Sequence, residues 1–186
     1  PSPLWRTGCF RARFGRGACS AGGGARSFVC ILLISARGRV SARMWIAVSL
    51  ETNFSATSLL ISAASLIVKE GGSIICAAEC SDGIPDHGLY KDILKCSGSP
   101  DEILKTISAP DHNKQDQWQA QIQAQIQTKC QVYMKSDFLS NAQVKEAHLN
   151  PISDIKGTIT SLNGQDSRVS ICILPEGPQT IPYLDN

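Results

Sequence analysis

An apolar run without alternation constrains the fold more than any other feature of this sequence. The run is Ser73-Ile-Ile-Cys-Ala-Ala-Glu-Cys80, and the polar turn residues Ser81-Asp-Gly83 follow it. A strand with one face in water alternates apolar and polar residues, whereas a strand covered on both faces does not. The run therefore predicts a strand buried inside a parallel sheet.

Helix and strand patterns alternate on both sides of this run. The stretch from Phe54 to Val68 is apolar or small, and Lys69-Glu-Gly-Gly72 after it is typical of a helix end. Residues 115–130 predict a helix because apolar residues recur at every fourth position from Trp118 to Cys130, although the Gln–Ile alternation there also suits a strand.

The remaining elements are short, and they complete the expected fold class. Ser99 and Pro100 are typical of a helix cap and a first helical residue. We expect further helices at 89–96, 101–107, 140–147 and 153–162, and strands at 131–135 and 168–174. The chain is therefore predicted to be α/β, a three-layer sandwich with a mostly parallel sheet and helices on both faces.

Composition divides the chain near residue 48. Residues 1–48 contain eight Arg, no Lys and no acidic residue, whereas residues 49–186 contain nine Lys, one Arg and all 16 acidic residues. The two segments thus carry net charges of +8 and −6. Segments that differ so much rarely share one folded unit. We predict a poorly ordered basic, Arg/Gly-rich segment over 1–48 and a folded domain over 49–186.

Four origins are open for residues 1–48. A transit peptide for organellar import is Arg-rich and poor in acids, a secretory signal would use the apolar run 28–34, and a nucleic-acid arm would place arginines on phosphates. We favour the fourth, a misassembled stretch read from GC-rich DNA in a wrong frame, and the start at Pro1 leads us to expect natural sequence upstream. The seven-residue run 28–34 is too short for a membrane-spanning helix, so we expect no membrane association.

Motifs for catalysis and metal binding are missing from the sequence. It contains no G-x-S-x-G, G-x-x-x-x-G-K-[ST] or G-x-G-x-x-G, and His87, His112 and His148 stand alone. Cys76 and Cys80 share a strand without a nearby His, so core packing is a better interpretation than zinc binding. We therefore assign no catalytic and no metal-binding residue. Five Cys after residue 48 favour a reducing compartment, and we predict a cytoplasmic protein.

Four side chains are candidates for binding a ligand. Glu79 and Asp82 end the buried strand, and ligands of open α/β sheets bind at the carboxyl ends of strands. The alternative is that Glu79 pairs with a helix N-terminus while Asp82 makes a turn. Gln117 and Trp118 begin a helix after a loop, and Trp118 by residue type alone suits a core anchor better than a cleft.

Several motifs together resemble the C-terminal domain of the nickel-dependent lactate racemases, the LarA-like family. They are the run VKEGGSIICAAECSDG over 68–83, DQWQ over 116–119, the strand at 132–135 and VSICILPEG over 169–177. Their order and approximate spacing match the family over roughly residues 49–177. The first run and the DQWQ motif carry most of the resemblance.

The resemblance implies a two-domain enzyme with its active site between the domains. The nickel-pincer nucleotide, the Lys that holds it and the His residues that bind nickel and move protons would belong to an N-terminal catalytic domain, which residues 1–48 do not supply. The reaction would interconvert D- and L-2-hydroxy acids such as lactate. The resemblance thus implies a cleft-closing domain with Trp118 facing the cleft, which binds no cofactor alone and is inactive alone.

One family motif, PLD.N.YQ..KG, is only partly present. Leu50 and Asn53 match it, but Ser55, Ala56 and Leu59 stand where Tyr, Gln and Lys are expected, so a carboxylate substrate would lose its cationic partner. Either the altered first segment extends to about residue 60, or the chain is a diverged paralogue. The alternative function is a non-enzymatic interaction module whose basic arm binds nucleic acid or an acidic surface, although we expect no nucleic-acid partner.

Overall fold

The described part of the chain is organised around a five-stranded parallel sheet. A computed structural model describes residues 11–14, 32–37, 42–49, 54–86, 88–163, 171–174 and 180–185. The sheet contains β3 (Ala42–Ser49), β4 (Val68–Ala78), β5 (Gln131–Lys135), β6 (Asn150–Pro151) and β7 (Ile171–Leu174), in the order β6-β5-β4-β3-β7. A separate three-stranded sheet contains β1 (Arg11–Phe14), β2 (Leu32–Arg37) and β8 (Thr180–Asp185) in the order β1-β2-β8, where β1 runs antiparallel to β2.

Six described helices connect and cover the larger sheet. They are α1 (Phe54–Ser65), α2 (Tyr90–Lys95), α3 (Pro100–Ile107), α4 (Gln117–Gln127), α5 (Asn141–Glu146) and α6 (Ile155–Asn163). The chain moves from β3 to β6 in one direction and then returns past β3 to β7. Because parallel crossovers are right-handed, α1 to α5 lie on one face and α6 lies on the other. The predicted three-layer α/β sandwich is confirmed.

The core lies between the sheet and the α1–α4 layer. Phe54, Leu60 and Ile61 of α1 are fully buried there, together with Ile74, Cys76, Met134 and Leu174 from the strands. The opposite face is covered less completely. Ile75 is buried on it, but Ile173, two strands away in the same register row, is 57% exposed, and α6 over Ile155–Asn163 has no buried residue.

A buried polar network ties three helices together. The Tyr90 hydroxyl of α2 donates to Oε1 of Gln123 in α4, and Gln123 Nε2 donates to the Ala147 carbonyl after α5 at 2.7 Å. Gln127 Nε2 donates to the His148 carbonyl at 2.7 Å. Each side-chain amide thus donates to a backbone carbonyl just after α5, where a carbonyl has no amide of the helix as its hydrogen-bond donor.

Local signals placed some helix ends correctly and one incorrectly. Ser99 caps α3, accepting from the Glu102 amide at 3.3 Å, with Pro100 as the first helical residue. However, α1 ends at Ser65, and Lys69–Gly72 belong to β4 instead of a helix end. Pairing with β3 jumps from Val68 to Ser73, so residues 69–72 bulge from the strand, with Gly71 at φ +73° donating to the Lys129 carbonyl at 2.8 Å.

The interior strand β3 crosses the boundary that composition predicts. Its residues 42–49 pair with β4 on one side and with β7 on the other. The folded sheet therefore begins at least seven residues before Ser49, inside the Arg-rich segment. Residues 11–14 and 32–37 are also strands, and the remainder of 1–48 lies outside the described residues, as does the part of the predicted strand before Ile171.

Candidate functional site

The carboxyl ends of the strands and the first turns of α1 and α4 meet along one side of the sheet, which we call the carboxyl edge. Helices that follow parallel strands run antiparallel to them, so their N-termini return to this side. Hydrogen bonds connect its parts. Ser136 Oγ donates to the Glu79 carbonyl at 2.6 Å, joining the ends of β5 and β4, and the Phe54 amide donates to the Gly83 carbonyl at 3.2 Å.

Glu79 and Asp82 both lie at the carboxyl edge with exposed side chains. The ion pairs formed by described residues are Lys95–Glu146 and Lys135–Asp137, and neither includes these two carboxylates. Both carboxylates therefore reach solvent on the side where α/β sheets bind ligands. Their role in binding stays a prediction.

Trp118 and Gln117 open α4 at the same edge. Trp118 is 50% exposed, which places a large aromatic surface in solvent instead of in the core. Gln117 turns back on the preceding loop, where its Oε1 accepts from the Lys114 amide at 3.0 Å. The structure thus brings these two residues to the same side of the sheet as Glu79 and Asp82, which follow β4.

Buried thiols lie directly beneath this edge. Cys76 and Cys80 are fully buried, and the Cys80 Sγ lies 3.6 Å from the Thr57 Oγ1 of α1. Burial raises the pKa of the Cys76 thiol well above its ordinary value, and burial likewise raises the pKa of Cys80. Both groups are neutral thiols at physiological pH, so they are packing groups and poor nucleophiles.

An open cavity of about 490 Å³ lies elsewhere, between α6 and the sheet. Its one lining carboxylate is already engaged, since the two Asp154 oxygens accept from the Lys156 amide at 2.9 Å and the Gly157 amide at 3.0 Å. Tyr133, Thr158 and Leu162 also line it, and none of the four predicted binding residues does. The cavity is therefore a weaker candidate than the carboxyl edge.

Sequence reasoning did not identify the point where the sheet reverses its winding. The strand order places this switch point between the ends of β3 and β7, where α/β sheets most often bind ligands. The residues that follow both strands, 50–53 and 175–179, lie outside the described residues. Strand order cannot be read from one sequence, so no local signal could have found this switch point.

Of the three positions at which the family motif is not matched, Leu59 on α1 is 50% exposed. The side chains of Ser55 and Ala56 are not among those that the structure describes.

Neither a cluster of metal ligands nor a membrane-spanning helix is found among the described residues. No three His, Cys, Asp or Glu side chains within the described ranges come together as a metal site. Likewise, none of the helices described is both long and apolar enough to cross a bilayer. His148 Nε2 lies 2.9 Å from the Leu94 carbonyl, and His87 lies outside the description.

These features define a doubly wound α/β domain with an exposed aromatic and acidic carboxyl edge. The chain belongs to the lactate racemase C-terminal domain family, whose model matches residues 48–181. It is 33% identical over 118 residues to a lactate racemase from Thermoanaerobacterium thermosaccharolyticum, which covers 61% of this chain and 27% of that protein. The chain thus spans about a quarter of this relative's length.

Solved structures agree with the family assignment. The lactate racemase apoprotein from Thermoanaerobacterium thermosaccharolyticum superposes with a TM-score of 0.70 at 26% identity, covering 81% of this chain and 37% of that one. A crystal structure of a Thermotoga maritima protein superposes with a TM-score of 0.51 at 14% identity over 81% of this chain and 39% of that one, which shows the fold alone. The resemblance read from the sequence motifs is confirmed.

Proposed function

We propose that the carboxyl edge forms one wall of a cleft for a small 2-hydroxy acid, and that an N-terminal catalytic domain forms the other wall. The exposed Trp118 at the start of α4 carries this proposal, because a half-exposed indole on a ligand-binding edge is a surface on which a small organic molecule can pack. Membership of the lactate racemase family supplies the substrate class.

The charges of this wall restrict how it could hold such a substrate. Glu79 and Asp82 would repel a carboxylate and would instead accept a hydrogen bond from a hydroxyl group. Gln117 can donate from its amide, and Trp118 can pack on carbon. The substrate carboxylate therefore needs a cation from the other domain, particularly since Leu59 stands where the family motif has Lys.

The described residues do not fit the nickel-pincer nucleotide that the family implies. They bring no metal-binding group together, and the thiols nearest the edge are buried and neutral. We therefore assign the redox and proton-transfer chemistry to the N-terminal domain and infer that this chain alone is inactive. Family membership favours this role over an interaction module with a basic arm.

A chimera with the Thermoanaerobacterium thermosaccharolyticum lactate racemase tests the proposed wall. Residues 42–181 of this chain would replace the matching C-terminal part of that enzyme, and D- to L-lactate conversion would be measured with and without Trp118→Ala. We expect kcat/KM to fall at least tenfold, since the indole supplies packing surface in the closed cleft.

Leu66→Ala is the matched control, because Leu66 is 65% exposed but follows α1 at the opposite side of the sheet. Equal activities of the Trp118 and Leu66 variants would overturn the role of Trp118. The full chain by itself, mixed with nickel-pincer nucleotide and D-lactate, should yield no L-lactate, and its formation would contradict the inferred inactivity.

A further inference from the structure

We propose that Gly88 and Asp116 form a positioning pair that fixes the turn before α4 and so sets the direction of Trp118. The inference rests on the proposed role of Trp118 in the cleft. Two independent features of the backbone carry it, one at each member of the pair.

The first feature is the conformation of Asp116. This residue precedes α4 at φ +62°, in the left-handed region that few residues other than Gly adopt. Its side chain makes no capping hydrogen bond to the helix. An Asp at a helix N-cap normally accepts a hydrogen bond from an amide of the first turn. The Asp116 carboxylate instead lies against Gly88.

The second feature is the close approach of Asp116 to Gly88. A Cβ added to Gly88 would overlap Asp116 Oδ2 and lie 3.1 Å from Asp116 Cγ. Gly88 itself has φ +79°, so this position excludes other residues through both its backbone angle and its space. The carboxylate of Asp116 thus packs directly against the backbone of Gly88, in the space that a side chain there would occupy.

Hydrogen bonds of neighbouring residues restrain the backbone at both members of the pair. Two residues after Gly88, the buried Tyr90 hydroxyl donates to Gln123 of α4, so the loop and the helix cannot separate easily. The Gln117 amide donates to the Lys114 carbonyl at 3.3 Å, which closes the turn around Asp116.

Trp118 lies two residues beyond this turn with half of its surface in solvent. A side chain with so little core packing takes its direction from the backbone that carries it. Asp116, whose carboxylate packs against Gly88, therefore acts on Trp118 through the turn. It is a positioning residue that touches no substrate.

Fluorine NMR of the full chain labelled with 5-fluorotryptophan tests the pair without any ligand. The chain has three Trp, and Trp118→Phe assigns the resonance of Trp118. We expect Gly88→Ala to shift and broaden that resonance, because the added methyl group displaces the carboxylate. Amide exchange of residues 114–119 should accelerate at least tenfold.

Gly71→Ala is the matched control, since Gly71 has a similar φ of +73° but nothing within 4 Å of an added Cβ. If Gly88→Ala and Gly71→Ala leave the Trp118 resonance equally unchanged, the pair has no positioning role. Asp116→Gly, which suits the φ of +62° while removing the carboxylate, should reproduce the shift, and Asp116→Asn should not. An unshifted resonance in Asp116→Gly would also overturn the inference.

These outcomes separate the inference from the proposed function. If Trp118→Ala leaves the chimera fully active while Gly88→Ala still moves the resonance, the cleft role is wrong and the positioning pair stands. If the chimera depends on Trp118 but the resonance ignores both Gly88 and Asp116, the reverse holds.

Discussion

Single residues at the carboxyl edge depart from the behaviour that their types favour. Trp118 suits a core by residue type, yet it is half exposed, and Cys80 adopts a positive φ, which is uncommon for residues other than Gly, Asn and Asp. Strained backbone of this kind is found where the surrounding structure enforces it, and functional sites are enriched in it. Residue type alone predicted the Ser99 cap because capping is local, whereas the direction of Trp118 depends on Gly88, 30 positions away in the sequence.

The buried thiols make stability depend on alkaline pH. Burial raises the pKa of Cys130 to about 11 and that of Cys172 to about 12, while an unfolded chain ionises its thiols near pH 8.5. The folded state therefore retains protons that the unfolded state loses. This stabilisation is complete below about pH 8.5, and it is lost progressively as pH rises through about 11 for Cys130 and about 12 for Cys172.

Urea unfolding at pH 8 and pH 10 measures this loss. We expect a lower midpoint at pH 10, and a smaller pH effect in Cys130→Ala, which has one buried thiol fewer. Cys96→Ser is the control because Cys96 is exposed, and it should keep the wild-type pH effect. A pH effect that Cys130→Ala leaves unchanged would contradict the assignment.

Helices α2, α4 and α5 depend on one another through the Tyr90–Gln123–Ala147 network. The sequence shows Gln at every second position of α4, and exposure would be the expectation for most of them. Gln123 is nevertheless fully buried, since it satisfies a hydroxyl on one side and a carbonyl on the other. The sequence predicted the helix correctly from its fourfold periodicity but could not indicate which Gln is inside.

Tyr90→Phe should lower the free energy of unfolding by about 1–3 kcal/mol, because it leaves the buried Gln123 oxygen without a donor. Urea denaturation measures the change. Tyr133→Phe is the matched control, since Tyr133 is half-buried beside the open cavity, and we expect a change below about 0.5 kcal/mol. Equal losses in the two variants would show that the network contributes nothing of its own.

At the scale of the whole molecule, the sequence predicted the layers, but one strand of the sheet begins before the boundary that composition indicates. The unalternating run in β4 correctly indicated a strand covered on both faces, from which the parallel sheet and its two helical layers follow. The excess of Arg placed the boundary at residue 48, yet β3, over residues 42–49, pairs with β4 on one side and with β7 on the other. Strand pairing uses backbone N–H and C=O groups, which nearly every residue has, whereas the charge count depends only on side chains. Charge composition therefore could not indicate this strand.

Removing β3 should therefore unfold the larger sheet. We expect a variant beginning at Leu50 to lose cooperative unfolding, since β7 pairs with β3 in this sheet and would have no neighbour there. A variant beginning at Ala42 keeps the strand and should unfold cooperatively. Circular dichroism during thermal unfolding distinguishes the two, and identical curves would show that β3 is dispensable.

The position of β3 between two strands that follow it in sequence has a consequence for fragment assembly. A polypeptide lacking this strand would leave unpaired the backbone donors and acceptors that β4 and β7 otherwise share with β3. A separate eight-residue peptide, ARMWIAVS, has the length and pairing partners to replace β3. The chain thus lends itself to reconstitution from two pieces, with the short piece switching the long one between an unassembled and an assembled form.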